Sequence, residues 1–268
     1  MKKKDCYSYP DENDALTTKF IATKQPFEGY WDKSEKLVLE RMKKLIRTYT
    51  VNKSNTYFLD AGCGTGRLLP KFESNFDKIL AVDPDEDLLQ VAKDTAEKFG
   101  LLKKVIFQNI PIEKIDLEKE SVDVILCSHV LQHVHTEAVG NILAKFEHLL
   151  KNYGLVFITT CHSRKDHDFY TKMYHKNHRV IEENIDETEF NSLIHNEKNI
   201  LPIHFFSRKR IFSVLNSFHF EILDFKSFHI LNKIPFVDHI VLRDKLINSI
   251  SLLQRKLGRD MFIACRRS

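Results

Sequence analysis

Glycine is scarce in this chain, eight in 268 residues, yet three of the eight stand at positions 62, 64 and 66. They follow a short apolar run, giving Tyr57-Phe58-Leu59-Asp60-Ala61-Gly62-Cys63-Gly64-Thr65-Gly66-Arg67. Only a tight turn leaving a buried strand, with backbone pressed where a Cβ would collide, needs glycine at that density. The feature predicts a strand that ends in a loop, with a helix beginning soon after. Few folds place such a loop against a ligand.

The flanking pattern selects among them. Short apolar runs predict strands at Tyr57–Ala61, Ile79–Asp83, Val105–Gln108, Val122–Cys127 and Leu155–Thr160. Helical spacing predicts helices near Arg67–Phe76, Asp85–Phe99 and Glu137–Lys151, with Gly154 as a stop for the last. Strands alternating with helices of this length need parallel crossovers, hence a doubly wound α/β sheet with helices on both faces. Before it, 1–49 reads as an amino-terminal cap segment containing a helix from Ser34 to about Arg47; 50–160 reads as the cofactor-binding half. After Thr160 the rhythm breaks. Residues 161–206 are polar, His-rich and aromatic without a clean strand, and are read as a lid that shapes a substrate pocket. The remainder, 207–268, closes the domain with a helix near Arg208–Ser217, a strand near Phe220–Phe228, a second insertion and a strand around Arg259–Ala264.

The loop discriminates between ligands. A GxGxxG dinucleotide loop requires glycine where Arg67 stands, and no Gly-Lys-Ser/Thr follows to make a phosphate-cradling Walker loop. Asp60, at the strand end, is a poor neighbour for a pyrophosphate and a good one for a ligand bearing a sulfonium and an ammonium. The second strand ends in Asp83-Pro84, about 20 residues on, where a carboxylate can grip a ribose diol.

On these residues the chain resembles the class I S-adenosylmethionine-dependent methyltransferases. The likeness runs from about Tyr57 to Thr160 and continues loosely through SRKRIFSVLNSFHFEILDF and RDMFIACRR. It implies a mostly parallel seven-stranded sheet and S-adenosyl-L-methionine as cofactor. Asp60, Gly62, Gly64 and Gly66 match the family's first motif, with Cys63 inside the same loop. Asp83 matches the acid on the ribose hydroxyls, and Pro84 the residue packed on adenine. Pro111 stands where the family often has an acid, so adenine contact falls to backbone around Ile112, or to Asn109. Ser128 and His129, after the fourth strand, match the edge that lines the methyl-bearing end and the substrate cavity.

The reaction so implied is an in-line displacement on an activated methyl, whose enzyme aligns, desolvates and sometimes deprotonates the acceptor. His129 and His133, four apart, share a face on a helical turn, and His162 follows the fifth strand; these three are the candidate bases. Each is equally readable as polar lining or as a satisfied hydrogen bond. His162, His167, His175 and His178, with Asp166 and Asp168, are dense enough to raise the question of a metal. Their spacing matches no site, and intervening lysines favour a solvated lid, so no metal is expected. Tyr30 and Trp31 either close over the cofactor or stack on a helix.

Composition bounds the partners. A formal charge of +4 from 41 basic and 37 acidic residues is too weak to require nucleic acid, although a basic aromatic groove would revive that reading. The basic residues Arg255, Lys256, Arg259, Arg266 and Arg267 read as a solvated face. Five scattered cysteines without a CxxC pair favour a reducing, cytoplasmic setting, and no run approaches a membrane span. The expectation is a methyltransferase with a small-molecule acceptor, a monomer or homodimer without a membrane partner. RNA- or protein-directed methylation, and a catalytically silent cofactor binder, stay open as alternatives.

Overall fold

Apolar runs fully buried on both faces form the centre of the sheet, as strands between two helical layers must be. In the computed structural model, which describes residues 30–50, 54–176, 179–194, 200–230 and 240–268, the first such strand is β1 (Tyr57–Ala61). It is followed by β2 (Lys78–Val82), β3 (Val105–Gln108), β4 (Val122–Ser128) and β5 (Leu150–Cys161). With β9 (Phe220–Phe228) and β10 (Asp260–Arg267) they make a seven-stranded sheet in the order β3-β2-β1-β4-β5-β10-β9. The first five strands pair in parallel; β10 is antiparallel to both β5 and β9. This is the expected doubly wound α/β fold with a mostly parallel sheet. Chain order reverses between β1 and β4, and open sheets of this kind hold ligands in the crevice beyond the strand ends at that point.

The helices bury the two sheet faces. On one side lie α1 (Tyr30–Thr50), the four-residue α2 (Leu69–Phe72) and α3 (Glu86–Lys98). Val38, Met42, Leu45 and Ile46 of α1 join Phe58, Phe72, Leu89 and Ala92 in one core. On the other side α4 (Ala138–Leu149) and α6 (Arg208–Asn216) pack Ile142, Leu143, Phe146, Ile211 and Leu215 against Leu59, Leu80 and Ile125. The expected cap helix is therefore part of the core, at Tyr30–Thr50.

Two expectations are corrected. Gly154 does not end a helix: α4 stops at Leu149, and β5 begins at once with a register break before Leu155. Glycine is needed there because a Cβ would lie 2.9 Å from the Lys151 carbonyl oxygen and 3.1 Å from that of Asp123. The segment 161–206 does contain strands. β6 (Phe169–Lys176), β7 (Arg179–Ile185) and β8 (Ile200–Phe205) form an antiparallel sheet in the order β7-β6-β8, with α5 (Glu187–Ile194) between β7 and β8. Its apolar side alternates, Met173 on β6 facing Leu201 and Ile203 on β8, while Lys172 and Tyr174 point elsewhere. That period-two pattern is thin because β8 is buried on both faces, Tyr170 and His204 packing on Phe190 of α5 from the other side. After β9, α7 (Ile240–Ser249) and α8 (Ser251–Lys256) precede β10. No helix among the described residues is long and apolar enough to cross a membrane.

Candidate cofactor site and acceptor face

The glycine loop is shaped by backbone bonds from β1 onto the end of β2. Gly62 and Cys63 both donate N–H to the Val82 carbonyl at 2.9 Å. All three loop glycines have positive φ (77°, 52° and 70°), the left-handed region a side chain disfavours. Each also has its own spatial role. A Cβ on Gly62 would lie 2.3 Å from Val130 Cγ2, and one on Gly66 would lie 3.0 Å from Ala92 of α3. A Cβ on Gly64 would meet nothing within 4 Å. Two glycines let the chain pack; the third faces open space.

Asp83 organises this loop. Its carboxylate accepts the Gly64 N–H at 2.8 Å and the Asp85 N–H at 2.9 Å. Asp85 in turn caps α3, accepting from the N–H groups of Asp87 and Leu88. The Asn109 side-chain amide donates to the Asp83 carbonyl at 3.0 Å, which ties the end of β3 to the same corner. Burial holds the Asp83 carboxyl above its ordinary value, against the lowering effect of those backbone donors. Pro84 beside it is half-exposed. The Ile112 side chain is buried in the core, at the head of a short 3-10 turn.

Asp60 is fully buried, and its Oδ2 has no hydrogen-bond partner among the described residues. Burial raises its pKa from 3.8 to about 7; the charge of Arg67 opposes this and that of Asp83 adds to it. A carboxylate without a donor in such a place is costly unless something arrives to pair with it. The orphaned oxygen and the open space over Gly64 together fit a cationic ligand seated on this loop. Burial also pushes the Cys63 thiol far up, so that residue is an inert wall.

Arg67, read from sequence only as a missing glycine, makes two bonds to Glu35 of α1, at 2.7 and 2.8 Å. Burial works to raise the Glu35 carboxyl, but the Arg67 contacts prevail and hold it low. One residue earlier, Ser34 accepts the His229 N–H at 2.9 Å and donates to Asp244 at 2.7 Å. The start of α1 is thus fastened across the strand ends. The side chains of Tyr30 and Trp31, and residue His178, lie outside the described residues.

At the end of β4, Ser128 Oγ pairs with Thr159 Oγ1 at 2.9 Å. His129 occupies the left-handed region, φ 58°, held by its N–H bond to the Thr159 carbonyl at 2.8 Å. Strain of this kind in a non-glycine residue persists only where surroundings enforce it. His129 Nδ1 lies 3.2 Å from Gln132 Oε1, Gln132 Nε2 lies 3.1 Å from His133 Nε2, and His133 Nδ1 lies 2.8 Å from the Pro202 carbonyl on β8. Both ends fix the proton positions. A carbonyl can only accept, so His133 Nδ1 carries hydrogen; burial depresses its pKa to about 4, so it is neutral and its Nε2 accepts. The Cys161 N–H donates to Gln132 Oε1 at 2.9 Å, which confirms the amide orientation. His129 therefore donates from Nδ1, and when neutral it carries its lone pair on Nε2.

The three candidate histidines thus separate. His129 is half-exposed at the strand end; His133 is buried and acts on His129 through Gln132. His162 does not overlook a cavity: it is buried, its N–H bonded to the Arg259 carbonyl, its ring edge-on to Phe225 at 5.9 Å. Burial takes its pKa down to about 4. Asp168 is engaged by His204 at 2.8 Å and by Ser207. Among the described residues no group of three or more His, Cys, Asp or Glu converges on a metal-sized site. Gln132 and Glu35 were not singled out in the sequence. The turn spacing of Gln132 from His129 was a usable signal, whereas nothing local links Glu35 to Arg67.

Comparison with known proteins agrees with this geometry. Residues 58–154 match the family model described as a methyltransferase domain. The chain is 31% identical over 102 residues to the ubiquinone biosynthesis O-methyltransferase of Rhodopseudomonas palustris strain TIE-1. That match covers 38% of this chain and 38% of the relative, so the chain spans well under two thirds of that protein's length. A solved structure of Burkholderia thailandensis 1,6-didemethyltoxoflavin-N1-methyltransferase, with S-adenosylhomocysteine bound, superposes with TM-score 0.53. It is 18% identical, with 90% of this chain and 84% of that one covered. The [4+2]-cyclase SpnF superposes with TM-score 0.54 at 17% identity, covering 85% and 81%. The match assigns a methyltransferase domain to residues 58–154, and the fold around it is the one those solved structures share. The shared fold alone does not choose an acceptor.

Proposed function

We propose that this protein transfers a methyl group from S-adenosylmethionine to a hydroxyl oxygen of a small molecule, with His129 as the base. The carrying observation is the hydrogen-bond chain that leaves His129 Nε2 as an acceptor with no partner among the described residues, one residue from the Val130 side chain that packs on Gly62. S-adenosylmethionine, when bound, supplies a methyl already activated as a sulfonium. The residues suited to hold it are Asp60, the backbone of 62–66, Asp83, Pro84, Asn109 and the backbone at Ile112, with Ser128 and His129 at the far end. Asp60 offers an unpaired carboxylate oxygen to its cationic portion, and Asp83 keeps lone pairs for ribose hydroxyls while holding Gly64 and Asp85.

A hydroxyl acceptor is protonated at neutral pH, so it needs a partner to take its proton as the oxygen attacks. His129 Nε2 is that partner, and Gln132 and His133 are positioning residues that hold the ring in the required tautomer. The O-methyltransferase named among the relatives favours an oxygen acceptor. The inserted sheet reaches this face through Pro202, which supports the reading of 161–206 as the wall of the acceptor pocket. His162 serves structure in this scheme. The buried free thiols of Cys63, Cys127, Cys161 and Cys265 support a reducing, cytoplasmic setting.

Two measurements test it. Calorimetry should show S-adenosylhomocysteine binding to the full-length protein and no binding of NAD. Label from methyl-tritiated S-adenosylmethionine should then pass to members of a phenol and catechol panel, with His129→Ala losing turnover at unchanged cofactor affinity. Transfer only to RNA or protein would remove the small-molecule reading, and full turnover by His129→Ala would remove the base.

A further inference from the structure

A second concave site, independent of the methyl-transfer reading, lies beyond the carboxyl end of β5. It is a groove of about 680 Å³ built by three separated segments: the 164–167 turn, the first turn of α6 and the end of α8. Backbone bonds bring them together. His162 bridges Phe206 just before α6, and Asp260, just after α8, pairs with Cys161 at the end of β5. Six cations line the walls, Arg164, Lys165, Arg208, Lys209, Arg255 and Lys256, against one carboxylate, Asp166.

Three features leave this charge available to a ligand. None of the six makes an ion pair with a carboxylate among the described residues. The Arg208 guanidinium rests over the rings of Phe212 at 4.6 Å and Phe225 at 5.0 Å, and its buried Nε has no hydrogen-bond partner. Arg208 and Lys209 occupy the first turn of α6 with no acid beside them, which sets two cations on the positive end of the helix dipole. Gathering like charges in this way costs stability, and an anion in the groove would offset that repulsion.

We propose that this groove binds a small, multiply charged anion of the diphosphate or triphosphate class. Its volume suits a ligand of nucleotide size. A single strand of nucleic acid needs free aromatic faces on which bases stack, and here the face of Phe212 is occupied by Arg208. A bilayer needs a flat or convex apolar surface; this wall is concave, with Leu252 and Phe212 its only large apolar residues.

The test uses the full-length protein and inorganic tripolyphosphate, titrated by calorimetry near physiological salt. The expected result is saturable one-to-one binding, weakened on the order of tenfold or more in Arg164→Gln/Arg255→Gln, the scale of losing charge-assisted hydrogen bonds. The Lys93→Gln/Lys103→Gln pair, exposed on and after α3, makes the same charge change elsewhere and should bind tripolyphosphate normally. S-adenosylhomocysteine affinity, unchanged in both variants, reports intact folding. Equal losses in the two double variants, or no binding to the wild type, would overturn the site. So would binding of an oligonucleotide or of phosphatidylglycerol vesicles in the absence of tripolyphosphate binding.

Discussion

Replacing Asp60 with asparagine separates the cost of this residue in the empty protein from its use to the ligand. In the folded chain its carboxyl titrates at about 7, against an ordinary 3.8, because burial disfavours the charge. The sign follows from linkage. Below pH 3.8 both folded and unfolded chains hold the proton, and Asp60 costs nothing. Between the two values folding must take up a proton, so stability falls by about 1.4 kcal/mol for each pH unit. Above the folded value both states are ionised and the loss is complete. A shift of about three units makes that loss about 4 kcal/mol. Asparagine resembles the protonated acid in size and carries no charge, so Asp60→Asn should remove the whole pH-dependent term. Urea melts of the cofactor-free, full-length protein should coincide with wild type near pH 4. They should diverge in favour of the variant up to pH 7 and run parallel beyond it. S-adenosylhomocysteine affinity should fall about tenfold or more in the same variant, since a charged acceptor for the ligand's ammonium is lost. Stability curves of the two proteins that run parallel from pH 4 to 8 would refute the burial argument. A variant that gains stability yet binds the ligand as well as wild type would refute the functional one.

The other expectations are simpler to read. Asp83→Ala should weaken S-adenosylhomocysteine binding by about 1–3 kcal/mol, the worth of hydrogen bonds to a charged group; an unchanged calorimetric titration would remove Asp83 from the ribose. Gly64→Val should abolish binding, because its Cβ enters open space above the loop, and should also lower the melting temperature through its left-handed φ; normal affinity would mean the loop does not face the ligand. Gly66→Ala should instead lower the melting temperature, since its Cβ would meet Ala92 at 3.0 Å and force α3 outward; an unaltered melt would contradict the packing. Gln132→Leu should lower kcat and move the acidic limb of its pH profile with KM for the cofactor unchanged, whereas a merely structural Gln132 would leave that limb in place.

The local signals in this chain were those with short range. Tyr57–Ala61 and Val105–Gln108 could be bounded to the residue because a strand buried on both faces needs an unbroken apolar run. The glycines at 62, 64 and 66, and the acids that end β1 and β2, announce a ligand loop because backbone geometry and strand ends are written in consecutive residues. The sheet at 169–205 was hidden, since β8 is buried on both faces while β6 sets Thr171 and Met173 among lysine and tyrosine. Other facts belong to no single segment. The bond from Glu35 to Arg67, the anchoring of His133 on Pro202, and the gathering of cations from three loops join residues far apart in the chain. Sequence determined which side chains and bends were available; only the folded chain decided which of them meet. Burial, the loss of water around Asp60 and His133, is a property of the whole packing, and it is what gives those two groups their altered protonation.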